Sequence, residues 1–307
     1  MSISEWALII FTILAQMAVG SFLVLGFVHF FAVRKAGTEE ADRLSDRALL
    51  AIGLVLILGM FASLFHLGNP FNAYKAVTNV GTSWLSREIL AGVLFAGLGG
   101  LFAIMQWRKI GNFALRNGLA WITAVVGLAL IYSMSQVYLL PTQPAWNTWA
   151  TPITFFVTTF LLGSLAIGVA FVANYAYLKR KDNVSLDVQL DLLRSSFRWI
   201  ALASILLLGI ELVVTPLYIG NLAVEMNAAA IESVRLMIVE MGFLLALRLL
   251  FVFIGVSLFG VFLYQNAFGE DKTNLVSAIA FGAFALVLVA EVIGRYMFYA
   301  TQVRIGI

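Results

Sequence analysis

The sequence predicts an all-α integral membrane protein of eight transmembrane helices, and three observations support this. First, 62% of the 307 residues are hydrophobic and only 11% are charged, whereas a soluble domain is closer to half apolar and a quarter charged. Second, charge-poor apolar runs recur at roughly the 20-residue length that a helix needs to cross a bilayer. Third, polar segments separate these runs. A chain of this size cannot bury so much apolar surface internally, so lipid must cover it.

The predicted helices follow one another without a soluble domain between them, so residues 1–307 are expected to form a single transmembrane domain. Each run is apolar throughout, as expected of a membrane-spanning helix. The predicted bounds are 5–31, 48–66, 88–107, 118–140, 152–178, 199–220, 242–265 and 275–300.

A weak internal repeat is visible in the sequence. Gly20, followed by serine, lies on the first predicted helix, and Gly163, also followed by serine, lies on the fifth. A basic stretch follows both helices. The pattern is consistent with two parallel four-helix units, 1–140 and 141–307, although chance similarity between apolar segments would also produce it.

Alternate connections differ sharply in charge. Thirteen of the 19 Lys and Arg residues follow the first, third, fifth and seventh predicted helices, and four lie in the other connections or beyond the last helix. Because basic connections stay in the cytoplasm, both termini and the connections 67–87 and 141–151 are predicted to lie outside. The net charge of +3 therefore reflects membrane orientation and indicates no nucleic-acid partner.

Residues 182–198 lie between the fifth and sixth predicted helices. They carry Leu186, Leu190 and Leu193 at helical spacing. This spacing predicts a short helix on the basic membrane interface, and a solvated linker is the alternative.

The chain is predicted to carry no redox centre of its own. It has no cysteine, which excludes thiolate-held iron–sulfur clusters, disulfides and thiol catalysis. Its two histidines, His29 and His66, are predicted to lie near opposite surfaces of the membrane, so their depths differ by roughly 25–30 Å. They cannot clamp one haem between them, so neither a haem nor a metal site is expected.

His66 and Glu88 are the strongest candidates for chemistry. His66 ends the second predicted helix at the outer boundary, and Glu88 begins the third. An imidazole and a carboxylate at the same depth are suited to accept the two hydroxyl protons of a quinol. Gln16 and Tyr138 are further candidates for lining such a quinol-binding site. His29, among phenylalanines, is interpreted as a structural residue.

Four other ionisable residues lie at membrane depth, where a charge is costly. Glu291 and Arg295 stand four apart on one helix face, which favours a structural ion pair, and Arg248 is expected to be balanced by Glu211 or Glu291. Two alternative functions stay open. One is a secondary transporter that uses Glu211, Glu291 and Arg248 as a relay, and the other is a purely structural anchor with an incidental His66.

Four short motifs are spread from the first half of the chain to its last helix. They are HLGNP at 66–70, SRE at 86–88, WATP at 149–152, and AEVIGR at 290–295 followed by FY at 298–299. In order and spacing they resemble the membrane anchor subunit of bacterial dimethyl sulfoxide reductase, over essentially the full length. The polysulfide reductase anchor belongs to the same wider group of eight-helix, quinone-linked anchors.

This resemblance implies a non-catalytic subunit of an oxidoreductase complex in the bacterial inner membrane, with both termini periplasmic. Such an anchor holds a molybdopterin catalytic subunit and a four-cluster, ferredoxin-like iron–sulfur subunit on the outer face. It binds and oxidises menaquinol and passes the electrons to the nearest cluster, for reduction of dimethyl sulfoxide or related S- and N-oxides in anaerobic respiration. The resemblance assigns the menaquinol site to His66 and Glu88, and the iron–sulfur partner is expected to cover 67–87 and 141–151.

Overall fold

The computed structural model describes residues 3–65, 75, 77–180, 186–225, 227–262 and 273–306. Every regular element in these ranges is helical, which confirms the predicted fold class. The α-helices are α1 (Ile3–Leu64), α2 (Trp84–Arg108), α3 (Phe113–Val137), α4 (Ala150–Lys179), α5 (Leu186–Val224), α6 (Ala228–Arg235), α7 (Gly242–Ser257) and α8 (Thr273–Ala300). Short 3-10 or π turns occupy Val77–Asn79, Leu236–Glu240 and Leu258–Phe262.

Seven helices in the described ranges are long and apolar enough to cross a membrane. They are α1 to α5, α7 and α8, whereas α6 has only eight residues. The prediction of a multi-pass membrane protein is confirmed. The end of the bundle that carries 141–151 is called the outer end below, and the end that carries 34–47 is called the basic end.

The first two predicted helices are one element, α1, which folds back on itself at Gly37. Gly37 has φ 84° and ψ 171°, a backbone conformation that glycine adopts without a Cβ penalty. On either side the two limbs lie antiparallel. Leu14 packs beside Gly59, and His29 Nε2 lies 3.0 Å from Asp42 Oδ1. The predicted number of eight crossings depends on counting these limbs separately and stays a prediction.

The core is centred on α4, which packs against the first limb of α1. Leu161, Leu162 and Leu165 are wholly buried on α4. Gly20 and Gly163 meet where the two helices cross, and a Cβ on either glycine would overlap the backbone of the other helix. Small residues at crossings let membrane helices approach closely and gain dispersion contacts.

The predicted interfacial helix is instead the start of α5, which begins at Leu186 and continues to Val224. Leu193 is wholly buried. Gln189, also buried, donates from Nε2 to the backbone carbonyl of Glu40 at 3.0 Å and to its carboxylate at 2.7 Å. Residues 186–198 are therefore neither a separate surface helix nor a solvated linker, because their apolar side packs into the bundle.

Asp42 organises a polar cluster at the basic end. It accepts hydrogen bonds from Gln106 Nε2 at 2.8 Å and Lys109 Nζ at 2.7 Å, in addition to its contact with His29. Burial would raise the pKa of Asp42, but the hydrogen bonds from His29, Lys109 and Gln106 and the charge of Lys109 outweigh it and lower the pKa from 3.8 to about 2. The cluster ties both limbs of α1 to α2.

Replacing Asp42 with asparagine is expected to destabilise the folded protein at neutral pH by on the order of 1–2 kcal/mol, after allowance for solvent screening. Because the pKa is lower in the folded state, the stabilisation is complete above about pH 4 and is lost as the pH falls through 2. Thermal unfolding in detergent from pH 7 to pH 3 should show the difference from the unmodified chain shrinking. Asp191→Asn is the control, because its pair with Lys35 leaves 61% of its side chain exposed. An equal loss of stability at both pH values would contradict this account.

Candidate functional site

His66 and the residues through Tyr74 lie outside the described residues. The predicted pairing of the His66 imidazole with the Glu88 carboxylate therefore stays a prediction. Of these two residues, the structure describes Glu88. Lys75 and then Val77 precede α2, which begins at Trp84.

The start of α2 positions Glu88 at the outer end. Ser83 caps the helix by accepting a hydrogen bond from the backbone N–H of Ser86 at 3.3 Å. Arg87 turns back to the preceding segment, where Nε donates to the carbonyl of Val80 at 2.8 Å and its guanidinium lies over the Trp84 ring. Glu88, one residue further on, is partly buried.

Two tyrosines at the outer end of the bundle lie within electrostatic range of Glu88. Its charge interacts electrostatically with both Tyr138 and Tyr299. The two tyrosine hydroxyls share a hydrogen bond of 2.5 Å. Tyr138, which directly follows α3, is 8% exposed, and aromatic rings surround it with centroid distances of 5.1–5.6 Å. These rings belong to Trp146, Phe155 and Phe298.

Gln16 lies deeper in the same region and is wholly buried. Its Nε2 donates to the carbonyl of Phe155 at 2.8 Å, and its Oε1 accepts from Arg295 Nη2 at 2.8 Å. The Arg295 guanidinium lies 3.9 Å from the centroid of the Phe155 ring. One turn before Gln16, the Thr12 hydroxyl donates to the backbone carbonyls of Leu8 and Ile9, each at 3.0 Å. The structure therefore gathers Glu88, Tyr138 and Gln16 around one polar and aromatic region.

Two residues of this region are not among those predicted to line the quinol site. Tyr299 pairs with Tyr138, and Arg295 holds Gln16. The sequence could have indicated both residues, because Arg295 and Tyr299 stand four apart and therefore share a face of α8.

The charged residues of the bundle interior form a second group. Arg248 Nη2 lies 2.5 Å from Glu211 Oε1 and 4.0 Å from Glu291 Oε1. Glu291 Oε2 accepts a hydrogen bond from Thr158 at 2.7 Å. Arg295 takes Gln16 as its hydrogen-bond partner, and among the described ion pairs none joins it to Glu291. The predicted intrahelical pair differs from this arrangement because side chains of neighbouring helices hydrogen-bond to Glu291 Oε2 and to Arg295.

A cavity of about 100 Å³ lies among α4, α5, α7 and α8. Arg248, Glu291 and Arg295 line its membrane-embedded part. The remaining polar lining is almost entirely hydroxyl. These residues are Thr151, Thr154, Thr158, Thr215, Tyr218 and Thr301. No group of three or more His, Asp or Glu side chains in the described ranges is placed to hold a metal ion.

The fold and this site define a class of protein: a multi-pass, all-helical membrane protein with a buried polar and aromatic site at one end of its bundle. The sequence model of the DMSO reductase anchor subunit (DmsC) family matches residues 1–301, so the chain belongs to that family. The predicted resemblance is confirmed. The chain is a membrane anchor of this family, whose members associate with the catalytic subunits of the reductase complex.

Relatives of this protein come from two kinds of enzyme. One is a component of the anaerobic dimethyl sulfoxide reductase of Escherichia coli (strain K12), which is 27% identical over 307 residues that span 98% of this sequence and 96% of the relative. The component of the same name from Haemophilus influenzae is 29% identical, with coverage of 98% and 96%. A component of the sulfite dehydrogenase of Allochromatium vinosum is 29% identical over 56% of this sequence and 54% of its own length.

Proposed function

We propose that the chain is the quinol-oxidising anchor of a molybdoenzyme complex. It binds menaquinol at the outer end of the bundle, oxidises it, and passes the electrons to a partner iron–sulfur subunit. A molybdopterin subunit then reduces dimethyl sulfoxide or a related S- or N-oxide in anaerobic respiration. The observation that carries this proposal is the convergence of Glu88, the Tyr138 and Tyr299 pair, and Gln16 at the end of the bundle where the chain leaves α1 towards His66.

The chemistry of this region suits a quinol head group. The aromatic rings around Tyr138 supply apolar faces for a naphthalene ring, and Glu88 supplies a carboxylate that accepts a hydroxyl proton. The His66 imidazole is proposed to accept the second proton. Oxidation of one quinol gives one quinone, two protons and two electrons. Because the sequence has no cysteine, the cluster that receives the electrons belongs to another subunit.

The partner subunits are proposed to dock on the outer end. The four-cluster, ferredoxin-like subunit would cover 67–87 and 141–151, which places a cluster close to the quinol site. Trp149 in the second connection is 45% exposed, as expected of an aromatic contact for a partner. In this arrangement the chain lies in the bacterial inner membrane with both termini periplasmic.

A secondary transporter is the second candidate function. The observation that favours it is the contact of Arg248 with both Glu211 and Glu291 beside a polar cavity, because buried charges commonly mark transport pathways. The anchor proposal is preferred because the family match spans nearly the whole chain. The predicted internal repeat of two four-helix units, 1–140 and 141–307, is compatible with either function.

Replacing Glu88 with glutamine is expected to lower quinol oxidation by about tenfold, because an amide keeps the shape of the side chain but cannot accept the proton. The measurement is steady-state turnover of a menaquinol analogue by the reconstituted complex, combined with a quinol-binding titration. Glu225→Gln is the control, because Glu225 is an exposed carboxylate at the same end. Unchanged turnover and unchanged binding in Glu88→Gln would reject the assigned role.

A further inference from the structure

Three threonines form a hydroxyl row along one face of α4. Thr151, Thr154 and Thr158 follow at spacings of three and four, so they lie above one another on the helix surface. The row starts in the first turn of α4 at the outer end and descends about 10 Å into the bundle. It ends at Glu291, which accepts the hydrogen bond of Thr158 at 2.7 Å.

The cavity follows this row from end to end. Its inner limit is formed by Glu291 and Arg248, and its outer limit by Ala145 in the 141–151 connection and Thr301 just after α8. On the opposite wall the Tyr218 hydroxyl donates a hydrogen bond of 2.8 Å to the backbone carbonyl of Ala145. Polar groups therefore line the cavity over its whole depth, from a membrane-embedded carboxylate to the outer connection.

Two buried polar atoms at the inner limit lack a hydrogen-bond partner among the described residues. They are Glu291 Oε1 and Arg248 Nε, and the Glu291 residue is only 2% exposed. Leaving a buried polar atom unpaired costs roughly 1–3 kcal/mol, and more for a charged group. A polar cavity of about 100 Å³ has room for several waters, since one water needs about 10–15 Å³ by this measure. Water in the cavity would satisfy both atoms.

The charged groups around Glu291 are two arginines and a second carboxylate. Arg248 Nη2 of α7 lies 4.0 Å from Glu291 Oε1, and the same nitrogen lies 2.5 Å from Glu211 Oε1 of α5. On α8 itself, Arg295 interacts electrostatically with Glu291 and the two site tyrosines. Because Arg295 lines the cavity and also hydrogen-bonds Gln16, it connects the cavity to the candidate quinol site.

We propose that this cavity is a water-filled proton passage and that Glu291 is its proton-carrying group. This inference rests on the proposed function for the source of the protons. Each quinol oxidised releases two protons, and its electrons leave to the partner cluster. The Glu291 carboxylate binds a released proton and passes it to water between the threonine hydroxyls, which returns Glu291 to its charged form beside Arg248. The protons thus leave at the outer end.

Cysteine accessibility tests the hydrated passage without reference to quinol. Because the protein has no cysteine, Thr154→Cys introduces a unique thiol into it. Thr123→Cys is the matched control, because Thr123 is wholly buried on α3 and bonds its own helix at Leu119. In the assembled complex a small charged methanethiosulfonate reagent is expected to label Thr154→Cys at least about tenfold faster, since a thiolate forms only where water reaches it. Equal, slow labelling overturns the passage and leaves the proposed function standing.

Glu291→Gln tests the proton-carrying role in the complete complex. We expect kcat for quinol oxidation to fall at least about tenfold, with KM and quinol binding nearly unchanged and the dependence of kcat on pH flattened. A purely structural role of Glu291 would not flatten the pH profile. Thr158→Val removes the hydroxyl and keeps the carboxylate, and it is expected to lower kcat to a smaller extent.

The outcomes separate the two proposals. An unchanged kcat with an unchanged pH dependence in Glu291→Gln overturns the role of Glu291. If that variant does not assemble, an unchanged kcat and pH dependence in Thr158→Val overturns the same role. A complex that binds and oxidises no quinol at all overturns the proposed function, and labelling of Thr154→Cys still reports on the passage.

Discussion

Quinol-driven reduction by the assembled complex is expected to fall by at least about a hundredfold when His66 is replaced by alanine, since loss of a general base typically costs 10²–10⁴-fold. Imidazole titrates near neutral pH and accepts a proton from a hydroxyl within hydrogen-bond reach. Alanine leaves nothing to accept that proton. The carboxylate of Glu88, the other proposed acceptor, cannot take both protons of one quinol at once.

The two histidines of the protein provide a matched comparison. His29 lies at the basic end, bonded to Asp42 at 3.0 Å, and His29→Ala is expected to leave quinol turnover close to that of the unmodified complex. Both variants should be measured with quinol and with a soluble artificial electron donor that delivers electrons directly to the partner subunits. The expected result for His66→Ala is loss of the quinol-driven rate alone. Full quinol turnover in His66→Ala, or an equal loss in His29→Ala, would exclude the assigned role.

Composition and the spacing of apolar runs were sufficient to predict an all-helical membrane protein, because lipid exposure constrains every span in the same way. Helix ends outside the membrane were harder to predict. The charges of residues 34–47 predict a connection, yet α1 continues through these residues except at Gly37. Alanine, glutamate, arginine and leucine are good helix formers in water. Charge therefore marks where a helix leaves the bilayer and does not mark where it ends.

The predicted site rests on the depth of its residues in the membrane, and its histidine lies outside the described residues. The sequence puts Glu88 and Tyr138 near the outer ends of their helices and Gln16 on the first helix, and in the structure these three residues lie in one region. Side-chain partners depend on how helices pack, which spacing along one helix does not specify. The four-residue separation of Glu291 and Arg295 predicted a mutual pair, but Thr158 and Gln16, on other helices, bind them instead.

The tight crossing of α1 and α4 has a consequence for folding. At this crossing the backbones of α1 and α4 meet at Gly20 and Gly163, each followed by a buried serine. A Cβ added to Gly163 would overlap the carbonyl carbon of Gly20 and the backbone nitrogen of Ser21. These are backbone atoms, so no side-chain rotation relieves the overlap, and the two helices have to separate. Separation would open the core around Leu161 and Leu165, which are wholly buried.

Gly163→Leu is therefore expected to prevent stable folding, and Gly163→Ala is expected to lower the free energy of unfolding by about 2 kcal/mol, as overpacking of a tight core does. The control is Gly100→Ala on α2, where an added Cβ meets no atom within 4 Å. The gain in helix propensity should make that change neutral or slightly stabilising. Membrane accumulation and thermal unfolding in detergent measure both effects. If Gly163→Ala unfolds at the same temperature as Gly100→Ala, the two helices tolerate separation, and close backbone contact at this crossing is not what holds the bundle together.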